Sequence, residues 1–138
     1  MSAPTVLFAC VLCFLSATCS AETAVEWVDR LTTQCWNTLG EKALSSRNVK
    51  RLLFVDVLLT KHMSMQYTCD LEEKTYDLLQ KISKENVPEN VVYSEGTKLH
   101  LHNVVEGWKD RLIKMPKKKF GCNMLYKINS YKIACMFE

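Results

Sequence analysis

The sequence of 138 residues lacks a long apolar run and an N-glycosylation triplet. Its uncharged apolar run, residues 6–15, is about half the length that a transmembrane helix needs, and no comparable run follows. We therefore expect no integral membrane segment. No Asn-x-Ser/Thr triplet occurs, so N-glycosylation is not expected. The length indicates one domain.

Charged residues are absent from positions 1–21, so the amino terminus also lacks the Lys or Arg that usually begins a secretory signal. The apolar run nevertheless has the length of a signal core, and small residues follow it at positions 16–21. We predict a signal peptide over 1–21 and a single domain over 22–138. A buried amino-terminal helix would have to place three cysteines and no polar face in a small domain. The candidate cleavage sites follow Cys19, Ser20 and Ala21.

The carboxyl-terminal residues 120–137 alternate in a way that predicts a β-hairpin. Apolar or sulfur-bearing side chains recur at every second position of two segments: Phe120, Cys122 and Met124, then Tyr131, Ile133, Cys135 and Phe137. Residues 127–130 can form a four-residue loop between them, because Asn129 and Ser130 supply turn chemistry.

Removing residues 1–21 turns seven cysteines into four: Cys35, Cys69, Cys122 and Cys135. An even number suits complete pairing in an oxidising compartment. Four cysteines allow three connectivities. We favour Cys122 with Cys135, because the hairpin brings them together, and then Cys35 with Cys69. The two closed loops would contribute roughly 3 and 4 kcal/mol on the loop-entropy model.

Four further segments have the periodicity of secondary structure. Residues 22–44 and 99–115 have apolar positions at helical spacing, with Trp108 on the buried stripe of the second. Residues 49–60 fit a helix or a strand, and we favour a helix. Asp70 and Glu73 have the spacing of a capping box at the start of a helix that ends near residue 83.

Residues 90–93 form a short strand candidate. Helices followed by a small antiparallel sheet predict a compact α+β fold, an α-β-α layered domain closed by the disulfide-linked hairpin.

A net charge of +3 is too mild to imply nucleic-acid binding. The charge is unevenly distributed, however, and one basic cluster could bind a sulfated glycan or an anionic membrane surface. The alternative is a solvated loop. The cluster comprises Arg111, Lys114, Lys117, Lys118 and Lys119.

The order of the segments resembles the CAP superfamily, also called SCP/TAPS, and most closely the activation-associated secreted proteins of parasitic nematodes. The resemblance covers residues 35–138 and implies a secreted CAP-like domain. Its motifs are Met-x-Met-x-Tyr-x-Cys-x-Leu-Glu at 63–72, Glu-Asn-Val-Val-Tyr at 89–93, the Trp-bearing helix at 104–112, Gly-Cys at 121–122 and Tyr-x-Ile-x-Cys-x-Phe at 131–137.

Family members with a metal-binding cleft line it with two histidines and two acids, and most of that tetrad is missing here. Glu89 matches one acid, whereas the second acid falls on Arg111 and one histidine falls near Ile82 and Ser83. No histidine lies between Trp108 and the Gly-Cys motif. We therefore expect no metal and no cofactor.

The remaining candidates for chemistry have ordinary structural explanations. His100, His102 and Glu106 could supply metal ligands, but only one of the histidines shares a helical face with Glu106, so we assign capping and solvated roles. His62 matches no family position. We expect Glu72, Glu73 and Asp77 to lie on the exposed side of a helix. No motif holds a nucleophile against a base, so we expect no enzymatic activity.

The resulting hypothesis is a secreted, non-enzymatic CAP-like protein that acts by extracellular protein–protein binding, with a host-directed effector role implied by the resemblance. The alternatives are a small lipid or sterol carrier, which the resemblance allows, and sulfated-glycan binding through the basic cluster. Trp27 and Trp36 could form a partner surface or pack on the domain, since exposed Trp is typical of binding hot spots.

Overall fold

The computed structural model describes residues 23–61, 65–116 and 118–138. The predicted signal peptide, His62, Met63 and Lys117 lie outside the described residues. The helices are α1 (Ala24–Leu39), α2 (Arg47–Lys61), α3 (Cys69–Leu79) and α4 (Leu101–Lys114), with a 3₁₀ turn at Gly40–Lys42. The strands are β1 (Gln66–Tyr67), β2 (Val91–Gly96), β3 (Lys119–Lys127) and β4 (Ser130–Phe137).

The sheet has the strand order β1-β3-β4-β2. Strands β2, β4 and β3 are antiparallel, as predicted, and Cys122 lies opposite Cys135. The sequence did not predict β1, which pairs parallel to β3 and makes the sheet mixed. The loop is also shorter than predicted, because Lys127 pairs with Ser130 and leaves two residues in the turn. Asn129 has φ 64° there, a conformation that Asn tolerates.

Helices cover both faces of the sheet, which confirms the α-β-α prediction. The larger core, under α1, α2 and α4, contains the predicted hairpin stripe together with Trp108 and Leu112. A smaller core on the other face joins Leu79 of α3 to Ala134 of β4. None of the helices in the described part of the chain has the length and hydropathy that a membrane span requires.

Helix α3 begins earlier than its predicted capping box. Thr68 is the N-cap, and its hydroxyl accepts a hydrogen bond from the Leu71 amide. The prediction that Asp70 and Glu73 form the box is therefore wrong. Asp70 lies in the first turn and pairs with Lys74, whereas Glu73 pairs with Lys42. A capping box does exist in α1, between Thr23 and Glu26.

Two elements are longer in the structure than the sequence predicted: the segment at 49–60, which fitted a helix or a strand, and the short strand at 90–93. Residues 49–60 lie within α2, so the favoured helix is correct. The buried positions of α2, which include Leu53 and Val57, recur at helical spacing. Strand β2 continues through Gly96, three residues beyond the predicted end, because it pairs with β4 as far as Tyr131.

Two disulfides join these elements. Cys35 of α1 bonds Cys69 at the start of α3, with a Cα–Cα distance of 5.1 Å. Cys122 bonds Cys135 across the hairpin, with a Cα–Cα distance of 4.0 Å. The first disulfide ties α1 to α3, and the second fixes the register of the hairpin.

Candidate functional site

The end of the hairpin presents apolar side chains to solvent. Ile128 is 92% exposed in the turn, and Tyr126 is 64% exposed near the end of β3. The turn chemistry requires Asn129, but nothing in a two-residue turn favours a β-branched apolar residue beside it. We call Tyr126 and Ile128 the hairpin tip. Sequence reasoning missed it, although an isoleucine inside a predicted loop was the available signal.

The hairpin tip is held by a rigid base. Strand β4 lies between β3 and β2, and the Cys122–Cys135 disulfide crosses the hairpin. A preorganised surface loses less conformational entropy when it binds. The tip can therefore bury apolar area against a partner without first having to be ordered.

Glu72 lies in the core, not on the exposed side of α3 as predicted. The side chains of Glu72 and Lys50 are 0% and 1% exposed, and Glu72 Oε1 lies 2.6 Å from Lys50 Nζ. Glu72 also accepts hydrogen bonds from Tyr67 Oη at 2.6 Å and from the Leu44 amide at 3.1 Å. Asp77 is exposed and Glu73 half-exposed, and each pairs with Lys42.

The charges of this buried cluster are coupled. Burial lowers the pKa of Lys50 below its ordinary value, and the neighbouring Glu72 charge opposes that effect. Burial, reinforced by Glu72, raises the pKa of Tyr67 well above its usual range. Lys50 Nζ also lies 5.4 Å from the centroid of the Tyr67 ring, so the ammonium is held by the Glu72 carboxylate on one side and by an aromatic ring nearby.

The same cluster explains two of the sequence motifs. Tyr67 Oη accepts a hydrogen bond from the Cys122 amide, and the Asn123 side chain donates to the Glu72 carbonyl. Gly121 allows the backbone of β3 to approach α3 closely. The Tyr-x-Cys-x-Leu-Glu and Gly-Cys motifs thus meet inside the domain, where they hold α3 on the sheet.

The residues at the positions of the family's metal-binding tetrad make other contacts in this protein. Arg111 donates a hydrogen bond from Nη2 to the Pro88 carbonyl at 2.6 Å, beside exposed Glu89. His100 is the N-cap residue of α4, without a side-chain capping bond, and His102 is exposed. Within residues 23–61, 65–116 and 118–138, no three His, Cys, Asp or Glu side chains converge as metal ligands would.

The described members of the basic cluster lie at the surface. Lys114 ends α4, and Lys118 and Lys119 lead into β3; all three are exposed. Arg111 is exposed too, but its guanidinium is engaged with Pro88. Lys117, the remaining member, is outside the described residues.

The tryptophans of α1 have different environments. Trp27 packs on Phe54, with ring centroids 4.3 Å apart. Trp36 is 49% exposed, beside Thr32 and Arg47. They therefore do not form one exposed pair.

Comparisons with known proteins give a family and a fold. The family model of ASPRs, described as Ancylostoma-associated secreted protein related, matches residues 35–137. The crystal structure of hookworm platelet inhibitor aligns with a TM-score of 0.57 at 13% sequence identity, over 75% of each chain. This likeness establishes a common fold. A search of curated proteins finds no match.

Proposed function

The chain belongs to the CAP-like family described as Ancylostoma-associated secreted protein related, and from this premise we propose that it is a secreted, non-enzymatic protein that binds a protein partner outside the cell. The hairpin tip is the proposed contact. The structural neighbour carries the name platelet inhibitor, and a host-directed role for this chain is part of the proposal.

The observation that supports the proposal is the exposure of Tyr126 and Ile128 on a disulfide-closed hairpin. Tyrosine is enriched among the residues that dominate binding energy at interfaces. Burying an isoleucine of this exposure would contribute roughly 2 kcal/mol from apolar area alone. A contact of both side chains would therefore account for a large share of the affinity.

We expect the double variant Tyr126→Ser, Ile128→Asp to lose at least tenfold in capture of extracellular partners. The immobilised protein is incubated with host extracellular fluid, and the retained proteins are quantified by mass spectrometry. The reason is that aspartate at the tip would be desolvated without a partner charge.

Leu59→Asp is the matched control for this experiment. Leu59 is 66% exposed on α2, so the change introduces the same charge at another exposed apolar position. Equal capture by wild type and the tip variant, or an equal loss in the Leu59 control, would remove the hairpin tip as the contact. Circular dichroism of each variant checks that the fold is intact.

Sulfated-glycan binding is the second candidate, favoured by the exposure of Lys114, Lys118 and Lys119 around one end of α4. Reversing Lys117, Lys118 and Lys119 to Glu is expected to abolish salt-sensitive retention on heparin, because several neighbouring cations act together on a polyanion. Lys81, Lys84 and Lys98 are also exposed, and their reversal is the control for net charge. Retention that survives the first reversal would eliminate this site.

A lipid or sterol carrier function stays a prediction that rests on the family resemblance alone.

A further inference from the structure

Helix α3 is too short to cover the whole face of the hairpin. It ends at Leu79, and beyond it a groove of about 360 Å³ opens between the helix and the strands. We call this space the hairpin groove. The side chains that matter below are Tyr76 and Gln80 from the helix side and Leu125, Lys127 and Lys132 from the strands.

The hairpin groove is lined by cations without acids. Lys127 and Lys132 are both in its lining, which includes no Asp or Glu. Lys132 Nζ donates to the Ile82 carbonyl at 3.0 Å, which positions the ammonium and leaves further donors for a ligand. Asp77, the residue after Tyr76, is paired with Lys42. Glu95, which lies opposite Lys132 in the sheet, is outside the lining and pairs with Lys84. The lining itself is therefore complementary to negative charge.

The groove also has apolar walls. Tyr76 and Leu125 are half-buried there, and Leu79 is fully buried beneath them. A small inorganic anion would leave these walls uncovered. A ligand that carries both carboxylates and apolar or aromatic groups fits the lining better.

The sheet edge beside the groove favours an extended ligand. Mutual hydrogen bonds join Lys119 to Glu138, and such pairs alternate along an antiparallel ladder. The backbone groups of Tyr126 therefore point away from β4. Strand β1 pairs with β3 only as far as Phe120, so this part of the edge lies beyond β1. A strand added there would run along the groove.

We propose that the hairpin groove binds an extended acidic segment of the partner protein, with its carboxylates on Lys127 and Lys132 and an apolar or aromatic side chain against Tyr76 and Leu125. This inference rests on the proposed function and adds the chemistry of the partner. The hairpin tip and the groove lie at the same end of the hairpin, with the Tyr126 side chain on the opposite face of the sheet from Leu125 and Lys127.

The test uses a fluorescein-labelled copolymer of glutamate and tyrosine as the probe, with binding to the full secreted protein measured by fluorescence anisotropy. The double variant Lys127→Glu, Lys132→Glu is expected to raise the Kd at least tenfold. Lys127→Glu alone, which leaves the Lys132 contact with Ile82 intact, is expected to raise it about threefold. The matched control Lys98→Glu, Lys109→Glu, at two exposed lysines outside both the groove and the basic cluster, carries the same charge change and is expected to alter the Kd less than twofold.

Three results would overturn the inference. The control pair could weaken binding as much as the groove pair, which would indicate a net-charge effect. A lysine–tyrosine copolymer could bind equally well. A heparin fragment could displace the probe at a lower concentration than unlabelled copolymer, which would assign the groove to a glycan. If any of these occurs while partner capture still depends on Tyr126 and Ile128, the inference fails and the proposed function stands.

Discussion

Replacing Gly121 with alanine is expected to lower the free energy of unfolding by about 3 kcal/mol, at the upper end of the cost of overpacking a core. A Cβ at this position would lie 2.6 Å from the Leu71 carbonyl carbon and closer still to the Glu72 amide nitrogen. Both are backbone atoms of α3, so they cannot rotate away. The helix would have to move off the sheet and disturb the Glu72 contacts. Urea denaturation measures the change.

Gly107→Ala is the matched control. Gly107 is exposed on α4, and a Cβ there would meet nothing within 4 Å. The same chemical change should therefore stabilise the protein by roughly 0.5–1 kcal/mol, because alanine is the better helix former. If Gly121→Ala were as stable as wild type, the close approach of β3 to α3 would be wrong. If Gly121→Ala lowers the free energy of unfolding and Gly107→Ala raises it, the space around each glycine, and not the Gly→Ala change itself, determines the effect.

The hairpin could be predicted from sequence because its information is local. Alternation from Tyr131 to Phe137 fixes which face is buried, and the turn residues place the two strands in register. The cysteine pair then follows from proximity. Helix α4 was equally accessible, since Trp108 and Leu112 recur at helical spacing and Pro116 ends the helix.

Glu72 could not be placed correctly by composition, because a carboxylate is normally assigned to the solvent side. Its spacing contained the correct answer: positions 72, 75 and 79 share one helical face, and Thr75 and Leu79 are both buried. Lys50 likewise begins the buried spacing of Leu53 and Val57. Two charges at buried positions make sense only as a pair, and they lie on different helices. That pairing is tertiary information.

The site was less predictable than the fold for a related reason. Tyr126 and Ile128 belong to the hairpin, which was predicted well. Their proposed role, however, depends on their exposure, and exposure is set by how the other elements pack around the hairpin. Strand alternation predicts which face a side chain occupies, but it does not predict whether a helix reaches the end of the hairpin and covers that face. The basic cluster, by contrast, could be identified from the sequence, because its lysines are neighbours along the chain and their charge does not depend on tertiary contacts.

Breaking the buried Lys50–Glu72 pair is expected to destabilise the domain more than any surface change. Lys50→Met should cost about 3–5 kcal/mol, because it leaves the Glu72 carboxylate buried with neutral donors only. Glu72→Gln should cost a similar amount, because it leaves the Lys50 ammonium facing a neutral amide. Urea denaturation of each variant measures the loss. Either change would remove most of the stability of a domain at the lower end of the ordinary range of about 5–15 kcal/mol.

The double variant Lys50→Met, Glu72→Gln separates the pair from its packing. Removing both charges also removes the cost of burying them, which the lowered pKa of Lys50 reflects. We therefore expect the double variant to lose at least 2 kcal/mol less than the sum of the single losses. Lys74→Met is the control: Lys74 pairs with Asp70 on the exposed face of α3, where solvent screens the pair, so we expect little change in the free energy of unfolding. Additive losses from the two buried substitutions would mean that the charges do not interact, and the close contact between Lys50 and Glu72 would then be incorrect.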